Sequence, residues 1–160
     1  MIRIATILFI HFFLLVGCSP SEEDIRRMVR DEMGSAMERS NIRPVEVVGP
    51  YSPAARVGNF LFVSGQIAID QETGSLRDEN IEVETRQVLD NLTRILRSAG
   101  FDSSHVVRST VYLKNMDDYA KMNLIYGGYF QEGGYPSRVT VEVSDLPRRA
   151  NVEISLIAHK

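Results

Sequence analysis

The 160-residue sequence contains no tryptophan, one cysteine (Cys18) and three histidines, His11, His105 and His159. A single thiol excludes an internal disulfide and the small folds stapled by them. Scattered histidines offer no ligand cluster, so no metal is expected. No glycine-rich phosphate cradle precedes a helix, so no nucleotide cofactor is expected. An excess of positive charge is also missing: 18 Lys+Arg stand against 21 Asp+Glu, a net charge of −3. That balance argues against a nucleic-acid partner, which a chain built to neutralise phosphates would meet with the opposite sign. Finally, no apolar run approaches the roughly 20 residues of a spanning helix. What is present, 44% hydrophobic and 24% charged residues, is ordinary for a globular chain and excludes collagen-like or extensively disordered ones. The length suits one domain.

The longest apolar run, Ile4 to Val16, is interrupted only by Thr6 and His11 and follows Arg3. It fits the hydrophobic region of an export signal. Leu15-Val16-Gly17-Cys18 then resembles a bacterial lipobox, which implies cleavage after Gly17 and acylation of Cys18. The bland alternative is a buried cysteine after a hydrophobic helix. The expectation is a signal peptide over 1–17, and a lipidated Cys18 with a helical tether over 18–44. Acyl chains on Cys18 would anchor the protein firmly to a membrane. Ser19 at the second mature position points to the outer membrane, facing the periplasm, in a host with two membranes.

Ser21 ahead of Glu22-Glu23-Asp24 reads as a helix N-cap with an acidic first turn. Ile25, Met28, Val29, Met33, Ala36 and Met37 share half of a helical wheel, into which Arg26 and Glu32 intrude. This segment is a spacer, or a short helix that associates with copies of itself. Pro44 ends it. From Val45 to Lys160 the pattern is α+β. Phe60–Ile67 reads as a strand, and Val88 to Ala99 as a helix closed by Gly100. Val106–Leu113 reads as a strand and Asp117–Phe130 as a helix burying Tyr119, Met122, Tyr126, Tyr129 and Phe130. Two closing strands follow, Arg138–Val143 and Val152–Ala158. The expected architecture packs two helices on one face of a sheet.

In the closing strands, Val139, Val141 and Val143 alternate with Arg138, Thr140 and Glu142. Val152, Ile154, Leu156 and Ala158 alternate with Glu153, Ser155 and Ile157. With the valines read as the core side, Arg138 and Glu153 fall on the non-core face of their strand ends. There a guanidinium fork could hold a carboxylate and a nearby glutamate could move a proton of water. The pattern alone leaves open a plain surface ion pair. Gly65 within Ser64-Gly65-Gln66 marks a bulge, a bend or a close approach of backbone to a ligand. Asn123 lies at the edge of an apolar helix face.

Gly49-Pro50-Tyr51-Ser52-Pro53-Ala54, Gly58 to Ile67 and Thr73-Gly74 resemble the opening of the RidA (YjgF) family. Tyr135 to Val143, Leu146-Pro147 and Val152-Glu153-Ile154 resemble its signature segment. The resemblance spans about Val45 to Lys160. It implies a chorismate-mutase-like α+β fold and a homotrimer with clefts between subunits. In the family's imine-deaminase branch it implies that Arg138 binds the substrate carboxylate and that Glu153 positions water. It also puts Tyr51, Ser64, Gly65, Asn123 and Thr140 around the substrate. Thr140 stands where some members have cysteine, and Ser137 and Val139 depart from the commoner neighbours of the arginine. The implied reaction is hydrolysis of 2-imino acids or their enamines to 2-keto acids and ammonia, without a cofactor. Two other readings remain: a module that binds small carboxylates without turnover, and a trimeric scaffold at the envelope.

Overall fold

The computed structural model describes residues 20–36, 39–42, 44–45, 49–130 and 133–160. The expected signal peptide and Cys18 lie outside the described residues. The chain divides into two compact units, Met1–Glu38 and Arg39–Lys160. In the first, helix α1 (Glu22–Ala36) starts with a reciprocal cap. The backbone N–H of Asp24 donates to Ser21 Oγ, while the N–H and hydroxyl of Ser21 donate to Asp24 Oδ2. Two orphan donors are thereby satisfied. Ile25, Met28 and Val29 form an apolar stripe on α1, each about half exposed. Among the described residues no helix is long and apolar enough to cross a membrane.

The second unit begins with strand β1 (Arg39–Ile42), which precedes the Val45 start expected from the sequence. It is followed by β2 (Ala54–Val57), β3 (Phe60–Gln66) and helix α2 (Ile81–Ser98). Next come β4 (Val106–Leu113), helix α3 (Tyr119–Gly127), β5 (Ser137–Glu142) and β6 (Val152–His159). The six strands lie in the order β1-β2-β3-β6-β4-β5. All neighbours are antiparallel except β4 and β5, which run parallel and are joined through α3. This is the expected α+β fold with a mixed sheet.

Helix α2 is where the sequence pattern is clearest. Asn80 caps it by accepting the N–H of Val83, and Gly100, at φ 78°, takes the left-handed conformation that lets the chain leave it. Its buried stripe of Ile81, Val88, Leu89, Leu92, Ile95 and Leu96 packs in one core with Leu61 and Val63 of β3, Val111 and Leu113 of β4, and Val152, Ile154, Leu156 and Ala158 of β6. Helix α3 is shorter than expected. Its first turn is a 3-10 turn, Met116–Asp118, capped by Asn115, and Gly127-Gly128 ends it. Met122 and Tyr126 are buried, whereas Tyr119, expected in the core, is 39% exposed.

One strand reverses the expected orientation. On β5 it is Val139 and Val141 that are exposed, at 43% and 38%, while Arg138 and Thr140 point to the helix-covered side. The register explains this. Arg138 pairs with Ser109 and Thr140 with Val111, both fully buried residues of β4, whereas Val141 pairs with Tyr112. The face of the sheet away from the helices therefore carries an apolar patch, Phe60 and Phe62 of β3, Ile157 of β6, and Val139 and Val141, beside polar residues that include Arg108, Tyr112 and Glu153.

Candidate functional site

Glu153 lies on the open face of β6, opposite Tyr112 of β4. The ladder between β3 and β6 shifts register between Val63 and Gln66, and Gly65 sits within that shift. The carboxylate packs directly on this glycine: a Cβ there would lie 1.8 Å from Glu153 Oε1 and 2.7 Å from its Cδ. No other residue leaves room for it. Burial pushes the Glu153 carboxyl above the ordinary glutamate range. A cavity of about 770 Å³ opens beside it, lined among others by Tyr51, Ser64, Gly65, Gln66 and Arg148.

Ser64 shapes this cavity through its hydrogen bonds. Its N–H donates to Pro53 O and its hydroxyl to Ser52 O at 2.8 Å. The segment carrying Tyr51 is thereby tied to β3, while the Tyr51 ring stays 45% exposed at the rim. Asn91 of α2 donates from Nδ2 to Ile67 O and Ile69 O, holding the turn that follows β3. On the far side, the 3-10 turn Pro147–Arg149 contains Arg148 and Arg149 at φ 56° and 61°. Two consecutive arginines in the left-handed region are strained. Arg148 is fixed by donating from Nη1 to Gly74 O at 2.9 Å.

Arg138 faces a different hollow. Its guanidinium lies 4.5 Å from the centroid of the Tyr126 ring and donates from Nη2 to Tyr119 Oη at 3.1 Å. The Tyr126 hydroxyl is 2.6 Å from Ser109 Oγ, in the core. Burial raises the Tyr126 phenol, opposed by the Ser109 hydrogen bond and the Arg138 charge. Asn123, Gly127, Tyr135 and Pro136 complete a hollow of about 320 Å³. Thr140, two residues along the same face, has a buried hydroxyl with no hydrogen-bond partner among the described residues.

Thus Glu153, Gly65, Ser64 and Tyr51 share one cavity, and Arg138 and Asn123 share another. The two key side chains are not adjacent on a single non-core face, as the alternation suggested. They lie on opposite faces of the sheet. Their partners on β4, Ser109 and Tyr112, are three positions apart, and β5 and β6 are two strand spacings apart. The Cα separation is therefore about 14 Å, with the sheet between the side chains. Among the described residues, no group of three His, Cys, Asp or Glu side chains could hold a metal ion.

Residues 41–160 match the protein family described as endoribonuclease L-PSP. The chain belongs to this family, the one whose motifs it resembles. A RutC family protein of Pyrococcus horikoshii is 51% identical over 113 residues, 71% of this chain and 89% of that protein. A mouse relative named 2-iminobutanoate/2-iminopropanoate deaminase is 40% identical over 119 residues, 74% of this chain and 87% of the mouse protein. Among solved structures, Escherichia coli TdcF with bound serine superposes with a TM-score of 0.70 at 30% identity, covering 76% of this chain and 96% of that one. The fold is accordingly that of the RidA/YjgF proteins.

Three family-domain residues escaped sequence reasoning. Tyr119 and Tyr126 bracket Arg138, a role that a generic aromatic helix face does not announce. Glu84, fully buried on α2, accepts from the backbone N–H and the Nδ2 of Asn151 at 2.9 and 2.6 Å. Its signal was available: a carboxylate on the apolar stripe one turn ahead of Val88.

Proposed function

We propose that the protein hydrolyses 2-imino acids, or their enamine tautomers, to 2-keto acids and ammonia, in clefts formed between neighbouring copies of a trimer. The observation that carries this reading is the division of Arg138 and Glu153 between opposite faces of one sheet. In a 2-imino acid the carboxylate is bonded directly to the imine carbon. With the sheet between the two side chains, no such small molecule can reach both groups of one chain, so in this reading the Arg138 hollow of one copy meets the Glu153 cavity of the next. The apolar patch of the open face, with Phe60, Phe62, Val139 and Val141 exposed, supplies surface for that association. A mouse relative named as an imino-acid deaminase and a homologous structure with bound serine support the same substrate class.

Arg138 would grip the carboxylate through its fork, pre-aimed by the Tyr126 ring and the Tyr119 hydroxyl. Glu153, desolvated against Gly65, is a stronger base than an exposed glutamate. It would take a proton from water as the oxygen attacks the carbon of the protonated imine, whose C=N electron pair moves to nitrogen to give a neutral carbinolamine. Glu153 would then return that proton to the amine nitrogen and take the hydroxyl proton as the C–N bond breaks, closing the keto group, with ammonia leaving and carrying the last proton away as ammonium. Tyr51, Ser64, Asn123 and Thr140 would line the substrate.

The test generates imines with an amino-acid oxidase and follows their decay. Arg138→Ala is expected to raise KM about tenfold to a hundredfold, the worth of a charged hydrogen bond. Glu153→Ala is expected to abolish turnover while a 2-keto acid still binds. A wild-type protein that binds keto acids but never accelerates imine decay would be a carboxylate-binding module instead. The same reading includes a lipid anchor on Cys18, which puts the domain at the cell envelope. A labelled fatty acid should enter the wild-type protein and not Cys18→Ala; equal labelling would refute the anchor.

A further inference from the structure

Asn151 stands at the point where the strained Arg148-Arg149 turn becomes strand β6, two residues before Glu153. Three of its polar groups are held. Its backbone N–H and its Nδ2 both donate to the Glu84 carboxylate. Its carbonyl accepts the N–H of Lys114 at the end of β4, at 3.0 Å. Glu84 itself is fully buried, on a helix whose other inward residues are mostly aliphatic. Burial raises its carboxyl, opposed by the donors at Asn151 and by the N–H of Val152. Among the described residues no cation offsets it. A buried carboxylate without a cationic partner is poor material for stability alone, since an apolar side chain would fill the same space at less cost.

We propose that Glu84 is a positioning residue for Glu153, acting through Asn151. The proposal rests on reading Glu153 as the group that activates water. The geometry gives the mechanism. Glu153 rests directly on Gly65, so a small slide of β6 along β3 moves its carboxylate off the glycine. The left-handed arginines tend to relax, and their relaxation pulls on the start of β6. Glu84, mounted on the rigid helix α2, takes up that pull. Asn91, two helical turns further along α2, holds Ile67 and Ile69 on the opposite wall of the cavity. One helix thus fixes both walls.

The test compares full-length wild type with Glu84→Leu and Glu84→Gln by steady-state kinetics of imine hydrolysis across pH. A substrate-free readout, the carbon-13 titration of the Glu153 carboxyl, runs in parallel. In Glu84→Leu, kcat should fall about tenfold to a hundredfold, the cost of a misplacement near 1 Å. KM should stay within about twofold, because Arg138 lies on the other face of the sheet. The acid limb of the rate profile and the Glu153 titration should both move to lower pH as the carboxyl hydrates. Glu84→Gln should restore all three: its oxygen still accepts the Asn151 N–H, and a turned Asn151 amide presents oxygen to the new NH₂. If Glu84→Leu fails to fold, Asn151→Ala, which removes only the side-chain bond, should shift the titration in the same direction. Wild-type kcat and titration in the folded variants would overturn the proposal, as would equal losses in the Leu and Gln variants. If the wild type hydrolyses no imine, the functional reading falls, and the titration alone decides whether Glu84 positions Glu153.

Discussion

Adding one methyl group at position 65 separates catalysis from folding. The Cβ of Gly65→Ala would lie 1.8 Å from Glu153 Oε1. Carbon and oxygen need about 3.5 Å, so the carboxylate must retreat by about 1.7 Å. The backbone does not resist the change, because Gly65 is not among the residues of positive φ. What yields is the far end of a flexible side chain, which swings into water. A displacement of this size costs about a hundredfold in rate when the group must meet a positioned reactant. Folding should lose little: the carboxylate escapes its burial penalty, and Gly→Ala reduces the entropy of the unfolded chain by about 0.4–1 kcal/mol. The expected variant is as stable as the wild type by thermal unfolding, with kcat down about a hundredfold and KM for the imine nearly unchanged. Its Glu153 carboxyl should titrate closer to the ordinary glutamate range. A folded Gly65→Ala protein with wild-type kcat would refute the placement of Glu153 in the reaction.

Glu153 also links stability to pH. Its folded-state pKa is raised by burial, so the native state binds its proton more tightly than the unfolded chain does. Wild type therefore loses stability relative to Glu153→Gln as pH rises from the unfolded glutamate pKa through the folded one. The midpoint difference in thermal melts should be largest at neutral pH and vanish in acid; a pH-independent difference would contradict the buried placement. Tyr126→Phe leaves Ser109 Oγ buried without its 2.6 Å partner and should cost about 1–3 kcal/mol in denaturant unfolding. The ring beneath Arg138 is kept, so KM should change little. Phe62→Asp puts a charge on the apolar patch of the open face and should dissociate the assembly in sedimentation experiments, with activity lost in parallel. A dissociated protein retaining full turnover would exclude a composite cleft.

Periodicity shows which residues share a face but not which face is covered, and this one ambiguity accounts for what the sequence reveals and conceals. On β6 the alternation of Val152, Ile154, Leu156 and Ala158 points inward, because α2 lies over it. On β5 an equally regular Val139 and Val141 points outward. A sheet face can carry regular valines without a helix over it. The misleading valines and the divided site therefore share one cause. β5 is an edge strand beside α3, and its helix side must accommodate Arg138 in a hollow between Tyr119 and Tyr126, leaving its apolar residues for the open face. Had the valines faced the helices, Arg138 and Glu153 would share the open face of one chain, and a second copy would add nothing to the chemistry. Glu84 follows the same logic from the opposite direction. It occupies a core position of a legible helix but carries a charge; the first turn of the helix favours an acidic residue, but the apolar stripe does not. Such an exception on a well-defined apolar face marks a constraint imposed from beyond the helix, here the loop that delivers Glu153.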